Sequence, residues 1–219
     1  LSPTQDMVDA YPCTDGKSIA ESPLYNPAKP FENRDPRLAY SIFWPGTTCG
    51  PMTFNNKYMG DGSHTRTGYC MRKYINPDNY QIQNYDWTNF IYIRYAEVLL
   101  TYAEARNENL SAPDVKVYDA VNQIRKRAKL KELTSDKTGS KESMIEAVLH
   151  ERRLELAFEG ERWFDLCRNN KVEQYLNGID NRDSGRIRQV RQFDGNSYLL
   201  PIPQTALDQN TNLEQNPGY

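Results

Sequence analysis

The sequence predicts a mainly α-helical fold of tetratricopeptide-like helical hairpins, joined to a long irregular, loop-rich region with a few short strands. Three observations carry that prediction. Apolar residues recur at helical spacing only after about residue 90, prolines and glycines interrupt the chain before it, and one helix near residue 150 sets three glutamates on an otherwise apolar stripe.

Residues 1–89 hold Ser22-Pro-Leu-Tyr-Asn-Pro-Ala-Lys-Pro30, Asn33-Arg-Asp-Pro-Arg-Leu38 and Trp44-Pro-Gly46. Pro36 and Pro45 push the residues before them out of the helical region, and Gly46, Gly50, Gly60, Gly62 and Gly68 punctuate the next stretch, so long loops with short strands are expected. Irregular stretches of this length are uncommon unless functional. Tyr40, Phe43, Trp44, Tyr58, Tyr69, Tyr74, Tyr80, Tyr85 and Trp87 lie here among Asn55, Asn56, Lys57, Asp61 and Arg66. Rings on loops beside amides and charges suit a sugar platform, where a ring stacks on the apolar face of a pyranose and polar groups take its hydroxyls. Most of these rings are expected in the loop region's own small core, with at least one exposed. Trp44, before Pro45-Gly46, and Tyr58, before Met59-Gly-Asp-Gly62, are the candidate stacking rings; Asn56, Lys57 and Asp61 are the candidate hydroxyl partners.

Residues 91–109 read as the clearest helix, with Ala96, Leu99, Leu100 and Ala103 at i, i+3, i+4, i+7. Pro113 is expected at the first turn of a second helix carrying Val117, Val121, Ile124 and Ala128, and the short 109–112 linker makes the two antiparallel. Such a hairpin cannot bury both faces alone, so it needs stacking partners, from residues 140–176 or from chain outside these residues.

From Met144 to Gly160 the pattern changes midway. Met144, Ile145, Val148 and Leu149 form an apolar stripe, and Glu151, Glu155 and Glu159 continue it, flanked by Leu154, Leu156 and Phe158. Carboxylates there are half-buried or more and must meet cations or backbone donors. Ser140 is placed as N-cap, Glu142 favours the helix dipole, and Gly160 is placed to stop the helix. Arg152 can partner Glu155 along the helix, and Arg94, Arg125, Arg127 and Arg162 are candidates from other elements. Two roles are open to the glutamates, a structural ion-pair network or an acid/base or metal site. The network of Glu151, Arg152, Glu155 and Glu159 is preferred. Metal sites of this kind usually add a histidine, and His150 lies about 100° from the ladder. Glu161–Asn170 then reads as a short helix, Lys171–Asn177 as a further turn, and 181–195 as a polar, basic loop or hairpin. The 198–204 segment, stiffened by Pro201 and Pro203, is expected to pack back on the body before a turn at Asn216-Pro-Gly-Tyr219.

The 219 residues suffice for one sizeable domain or two small ones; the expected division is 1–89, ligand-binding, and 90–219, helical, within one domain. Net charge is −2, which gives no basic field for nucleic acid. The 15 tyrosines suit a binding surface as well as a core. Cys13, Cys49, Cys70 and Cys167 form no C-x-x-C pair, disfavouring zinc and leaving disulfide pairing open. No run of about 18 apolar residues spans a bilayer, and neither metal nor cofactor is expected.

Six motifs in order, Asn33-Arg-Asp-Pro-Arg-Leu38, Thr67-Gly-Tyr-Cys-Met-Arg-Lys73, Ile93-Arg-Tyr-Ala-Glu-Val-Leu-Leu100 with Tyr102-Ala-Glu-Ala105, Tyr118-Asp-Ala-Val-Asn-Gln-Ile-Arg125, His150-Glu-Arg-Arg-Leu-Glu-Leu-Ala-Phe-Glu-Gly160 with Arg162-Trp-Phe-Asp-Leu166, and Leu200-Pro-Ile-Pro203 to Asn216-Pro-Gly-Tyr219, together resemble the C-terminal part of a SusD/RagB-family protein. The resemblance implies a lipid-anchored, cell-surface nutrient-binding protein of the Bacteroidetes outer membrane, acting as a lid over a TonB-dependent, SusC-like transporter. It also implies that an N-terminal half, with the lipidated cysteine and most helix pairs, lies outside these residues. Cys13 lacks a lipobox context and is not taken as the anchor. Non-catalytic oligosaccharide binding is therefore the expected function. The alternatives are a glycoside hydrolase using two of Glu151, Glu155, Glu159 and Asp165, a peptide-binding member, or a helical-repeat scaffold.

Overall fold

In the computed structural model the described residues are 2–50, 52–54, 65, 67–76, 88–183 and 186–219. Helix α3 (Tyr95–Glu108) and helix α4 (Val115–Arg127) form the expected antiparallel hairpin, with Ala96, Leu100 and Ala103 facing Val117, Ala120, Val121 and Ile124. Two boundaries differ from expectation. Residues 91–94 precede α3, Arg94 being extended at the N-cap position while its guanidinium reaches Glu155 and Glu159. Pro113 stays outside α4, because Asp114 takes the N-cap and accepts from Val117 N at 3.2 Å. Arg106 of α3 also holds Asp114, pinning the hairpin at its turn.

After a short helix α5 (Ser135–Thr138), helix α6 (Lys141–Glu155) supplies the stacking partner. Its N-terminus is closed by a reciprocal pair: Ser140 Oγ accepts from Ser143 N and Ser143 Oγ from Ser140 N, each at 3.1 Å. Met144 and Val148 of α6 complete the α3–α4 core. The opposite side of α3 carries Tyr95, Val98 and Tyr102, all exposed. Helix α6 ends at Glu155, five residues before the expected stop. Leu156 N donates to Arg152 O, and Phe158 and Gly160 then take left-handed conformations, with φ of 67° and 98°. Gly160 thereby starts the next helix, α7 (Glu161–Arg168), which is followed by α8 (Val172–Leu176).

The described part of residues 1–89 is more helical than expected. Helix α1 (Gln5–Ala10) and helix α2 (Pro36–Ser41) both form. In α2 the proline read as a breaker sits at the first helical position, where its missing N–H costs nothing, and Asp35 caps it by accepting from Arg37 N at 2.9 Å. Strand β1 (Ile42–Phe43) pairs antiparallel with β4 (Cys70–Met71), and β2 (Thr48–Cys49) with β3 (Met52–Thr53). A second core joins this region to the back of α6: Val8, Tyr11, Leu38 and Ile42 pack on Leu154, and the Tyr11 hydroxyl donates to Leu154 O. Helix α6 is thus shared by both cores, and the described part of 1–89 is built onto the helices.

The basic 181–195 segment contributes to a hairpin, β5 (Asp180–Asp183) with β6 (Arg186–Val190). A 3-10 turn at Gly195–Tyr198 and helix α9 (Gln204–Gln209) come next. The 198–204 segment packs less than expected. Leu199 and Leu200 are exposed, and the tail is tied instead by polar contacts between Gln215 and Ile202. The four cysteines carry no disulfide. No helix among the described residues is long and apolar enough to cross a membrane.

Candidate functional site

The glutamates of α6 meet cations from both halves of the chain. Glu151 accepts from Arg37 Nη1 at 2.6 Å and Arg125 Nη1 at 2.9 Å. Glu155 accepts from Arg94 Nη1 at 2.5 Å, Arg37 Nη1 at 3.1 Å and Arg127. Glu159, in the turn after the helix, accepts from Arg94 Nε at 2.7 Å and Lys73 Nζ at 2.6 Å. Asp35 completes the set, bonded to Arg37 Nη2 at 2.7 Å. Arg152 turns away from Glu155; its Nε donates to Asp165 at 2.8 Å, because the residue three before Glu155 faces α7 and not the glutamate cluster. Arg162 makes no ion pair with the glutamate cluster among the described residues, and its guanidinium lies 4.9 Å from the centre of the Tyr175 ring. Arg37, which sequence reasoning did not name as a partner, is the central cation.

Burial works to raise the Glu155 pKa, but hydrogen bonds from Arg94 and Arg127 and their charges outweigh it and bring it down to about 2. Glu159 is lowered against burial in the same way by Arg94 and Lys73. Lys73 is itself lowered, burial outweighing its contact with Glu159. Arg94 loses to burial less than it gains from the two glutamates, and so stays above its ordinary value.

Over this network opens a cleft of about 680 Å³, lined on one side by Pro36, Arg37, Tyr40 and Ser41 of α2 and on another by Thr88, Asn89, Ile91 and Arg94. Lys73 and Tyr74, the α4 end at Arg127–Lys129, and Leu154, Glu155 and Glu159 form the rest. Tyr40 is 72% exposed. Tyr74 has φ 72° and a hydroxyl shielded from solvent without a hydrogen-bond partner among the described residues. Its ring stacks on Phe90, with centroids 5.8 Å apart, and Phe90 meets Tyr92 edge-on, so exposed rings continue beside the cleft.

Trp44 lies elsewhere. Its indole is half-buried and stacks on Phe31, with centroids 4.6 Å apart and planes 12° from parallel, against the second core. Lone-ring logic missed this, since Phe31 is 13 residues earlier and shares no periodic pattern with it. Tyr58, Asn56, Lys57 and Asp61 lie outside the described residues. Tyr40 was one of nine rings and carried no mark of its exposure. The available signal was Asp35-Pro-Arg37, a cap followed by proline at a helix start, which puts Tyr40 on a helix.

The whole chain, residues 1–219, matches the family model described as the SusD family. The chain belongs to the SusD family. It is 38% identical over 141 residues to SusD-like protein P2 of Formosa agariphila, an alignment covering 60% of this chain and 26% of that protein. A SusD-like protein of Bacteroides fragilis superposes with a TM-score of 0.82 at 30% identity, covering 100% of this chain and 47% of that one. A SusD-like carbohydrate-binding protein from the same species gives a TM-score of 0.76 at 28% identity, covering 97% and 48%. The matched part therefore spans about a quarter of the curated relative and just under half of the solved chains.

In this SusD-family chain Glu151, Glu155, Glu159 and Asp165 are poor candidates for glycosidase chemistry, which needs one carboxyl kept protonated near neutral pH. Glu155 and Glu159 are held low, and Glu151 and Asp165 are buried and each bonded to two arginines. Among the described residues no group of three His, Cys, Asp or Glu is arranged to hold a metal ion.

Proposed function

We propose that this SusD-family chain binds oligosaccharides without altering them chemically, in the cleft between α2, the 88–94 segment and the end of α4. The observation that carries this is the pairing of Tyr40, an exposed ring in a concave site, with the shielded Tyr74 hydroxyl, which has no hydrogen-bond partner among the described residues. A ring to cover a pyranose face and a hydroxyl lacking a partner are the two things a sugar site supplies. The carbohydrate-binding description of one solved neighbour supports the same ligand class. Trp44 and Tyr58, with Asn56, Lys57 and Asp61, are proposed as a second sugar-contacting surface, in which the half-buried Trp44 ring would serve sugar as well as Phe31. We further propose that the protein works at the outer face of the outer membrane, lipid-anchored through chain outside these residues, and delivers its ligand to a TonB-dependent, SusC-like transporter.

Isothermal titration against a panel of oligosaccharides and peptides tests the binding. Tyr40→Ala is expected to weaken the oligosaccharide that binds by roughly 1–3 kcal/mol, by analogy with bases stacked on aromatics. Tyr74→Phe is expected to weaken it without loss of stability, since it removes a buried hydroxyl that has no partner among the described residues. Wild-type affinity in both variants would remove the cleft as the site. Binding of peptides alone would change the ligand class.

A further inference from the structure

The charges around the cleft are layered. The side chains of Glu155 and Glu159 are only 2% and 9% exposed, while the cations on them, Arg94, Lys73 and Arg127, are 21%, 22% and 59% exposed. A molecule entering the cleft therefore meets guanidinium and ammonium groups before it meets carboxylates. The count is also unequal. The wall carries Arg37, Lys73, Arg94, Arg127 and Lys129 against Glu155 and Glu159; with Arg125, Asp35 and Glu151 behind it, six cations share four carboxylates among the described residues.

Lys129 is the clearest part of the excess. It is exposed and makes no ion pair with the described residues, though it lines the same cleft as Tyr40. Its φ is 59°, at the position following the α4 cap, where Leu130 N donates to Arg125 O at 2.9 Å and Lys129 N to Lys126 O at 3.0 Å. Glycine is the usual residue in that closing motif because a side chain is strained there. The helix dipole does not account for the lysine, since Arg125, Lys126 and Arg127 already occupy the last turn.

We propose that the oligosaccharide bound in this cleft is anionic, carrying carboxylate or sulfate groups, and that Lys129 with Arg127 selects it. The proposal rests on the binding function proposed above and adds the charge of the ligand to it. A neutral sugar displaces water from these cations and returns only hydroxyl oxygens. An anionic sugar returns charge-assisted hydrogen bonds at a site where the floor carboxylates are already shielded.

The test is isothermal titration of the protein with oligogalacturonate, a chondroitin sulfate tetrasaccharide and maltoheptaose, which separate carboxylate, sulfate and neutral ligands. At least one charged ligand should bind more tightly than maltoheptaose, and its affinity should fall as salt rises from about 50 to about 300 mM. Lys129→Gly and Lys129→Gln should each weaken it about tenfold, the loss of one charge-assisted contact. The glycine variant should melt at the same or a higher temperature, which separates lost contact from lost fold. Maltoheptaose binding as tightly as the charged ligands, no binding of either charged ligand, or wild-type affinity in both Lys129 variants overturns the proposal. Tyr40→Ala keeps this distinct from the reading beneath it. If maltoheptaose binds in a Tyr40-dependent manner and the charged ligands gain nothing, the site stands and the charge selection falls; if Tyr40→Ala binds every ligand like wild type, the site itself falls.

Discussion

Arg37 Nη1 donates to Glu151 Oε1 at 2.6 Å, joining residues 114 positions apart in the chain. The same guanidinium also holds Asp35 and reaches Glu155, so one side chain fixes the cap of α2 against the C-terminal end of α6. Arg37→Ala leaves Asp35 without its main partner and Glu151 with Arg125 alone among the described residues, both nearly inaccessible to water. Breaking a buried pair from one side costs about 3–5 kcal/mol. Urea denaturation should show a loss of that size, and a midpoint equal to wild type would mean the contact contributes nothing.

The network also makes stability depend on acid. Glu155 has a folded pKa of about 2, below its ordinary value of 4.5, so its contribution is fully present above the unfolded value and is lost as pH falls from 4.5 towards 2. The shift corresponds to about 3 kcal/mol. Glu159, lowered in the same direction, adds to the loss over the acid range. Urea midpoints measured from neutral pH down to about pH 3 should fall in wild type and fall less steeply in Glu155→Gln. Parallel curves for the two proteins would rule out Glu155 as the titrating group.

Gly160 isolates a backbone effect. Nothing lies within 4 Å of a methyl group added there, so Gly160→Ala meets no clash and its cost comes from φ of 98° alone. About 1 kcal/mol is expected, read as a lower melting temperature. If the alanine variant melts with wild type, the turn between α6 and α7 tolerates a different conformation.

Trp44 tests whether a ring can serve core and surface together. Trp44→Ala removes the stack on Phe31 and should cost about 2 kcal/mol of stability. Trp44→Phe should keep much of that packing. If the outer face of the indole contacts sugar, Trp44→Ala also loses roughly 1–3 kcal/mol of affinity once circular dichroism shows an intact fold, and Tyr58→Ala loses a similar amount. Lower stability with wild-type affinity would assign Trp44 to the core alone.

Much of the architecture was legible because it is written in short-range periodicity. Ala96, Leu100 and Ala103, then Val117, Val121 and Ile124, repeat at helical spacing, and each lies in the core between α3, α4 and α6. Family membership was legible for a related reason, since six short motifs kept their order along the chain. Helix ends were less so. Whether Pro36 breaks a helix or begins one depends on Asp35 caps and Arg37 contacts that form only on folding, and the α6 end depends on the left-handed Phe158 as well as Gly160.

The sequence alone determined that Glu151, Glu155 and Glu159 needed cations, because carboxylates on an apolar stripe cannot be left unpaired away from water. Which cations answered was decided by tertiary structure. Arg37 and Lys73 come from the loop-rich region, Arg94, Arg125 and Arg127 from the hairpin, while Arg152 goes to Asp165 despite its nearness in sequence. Spacing along one helix fixes the direction of a side chain, but a partner from another element is set by how the elements pack. For the same reason Tyr40, Tyr74 and Lys129 had no common mark in the sequence and acquired one only when α2, the 72–75 turn and the end of α4 met around a single cleft.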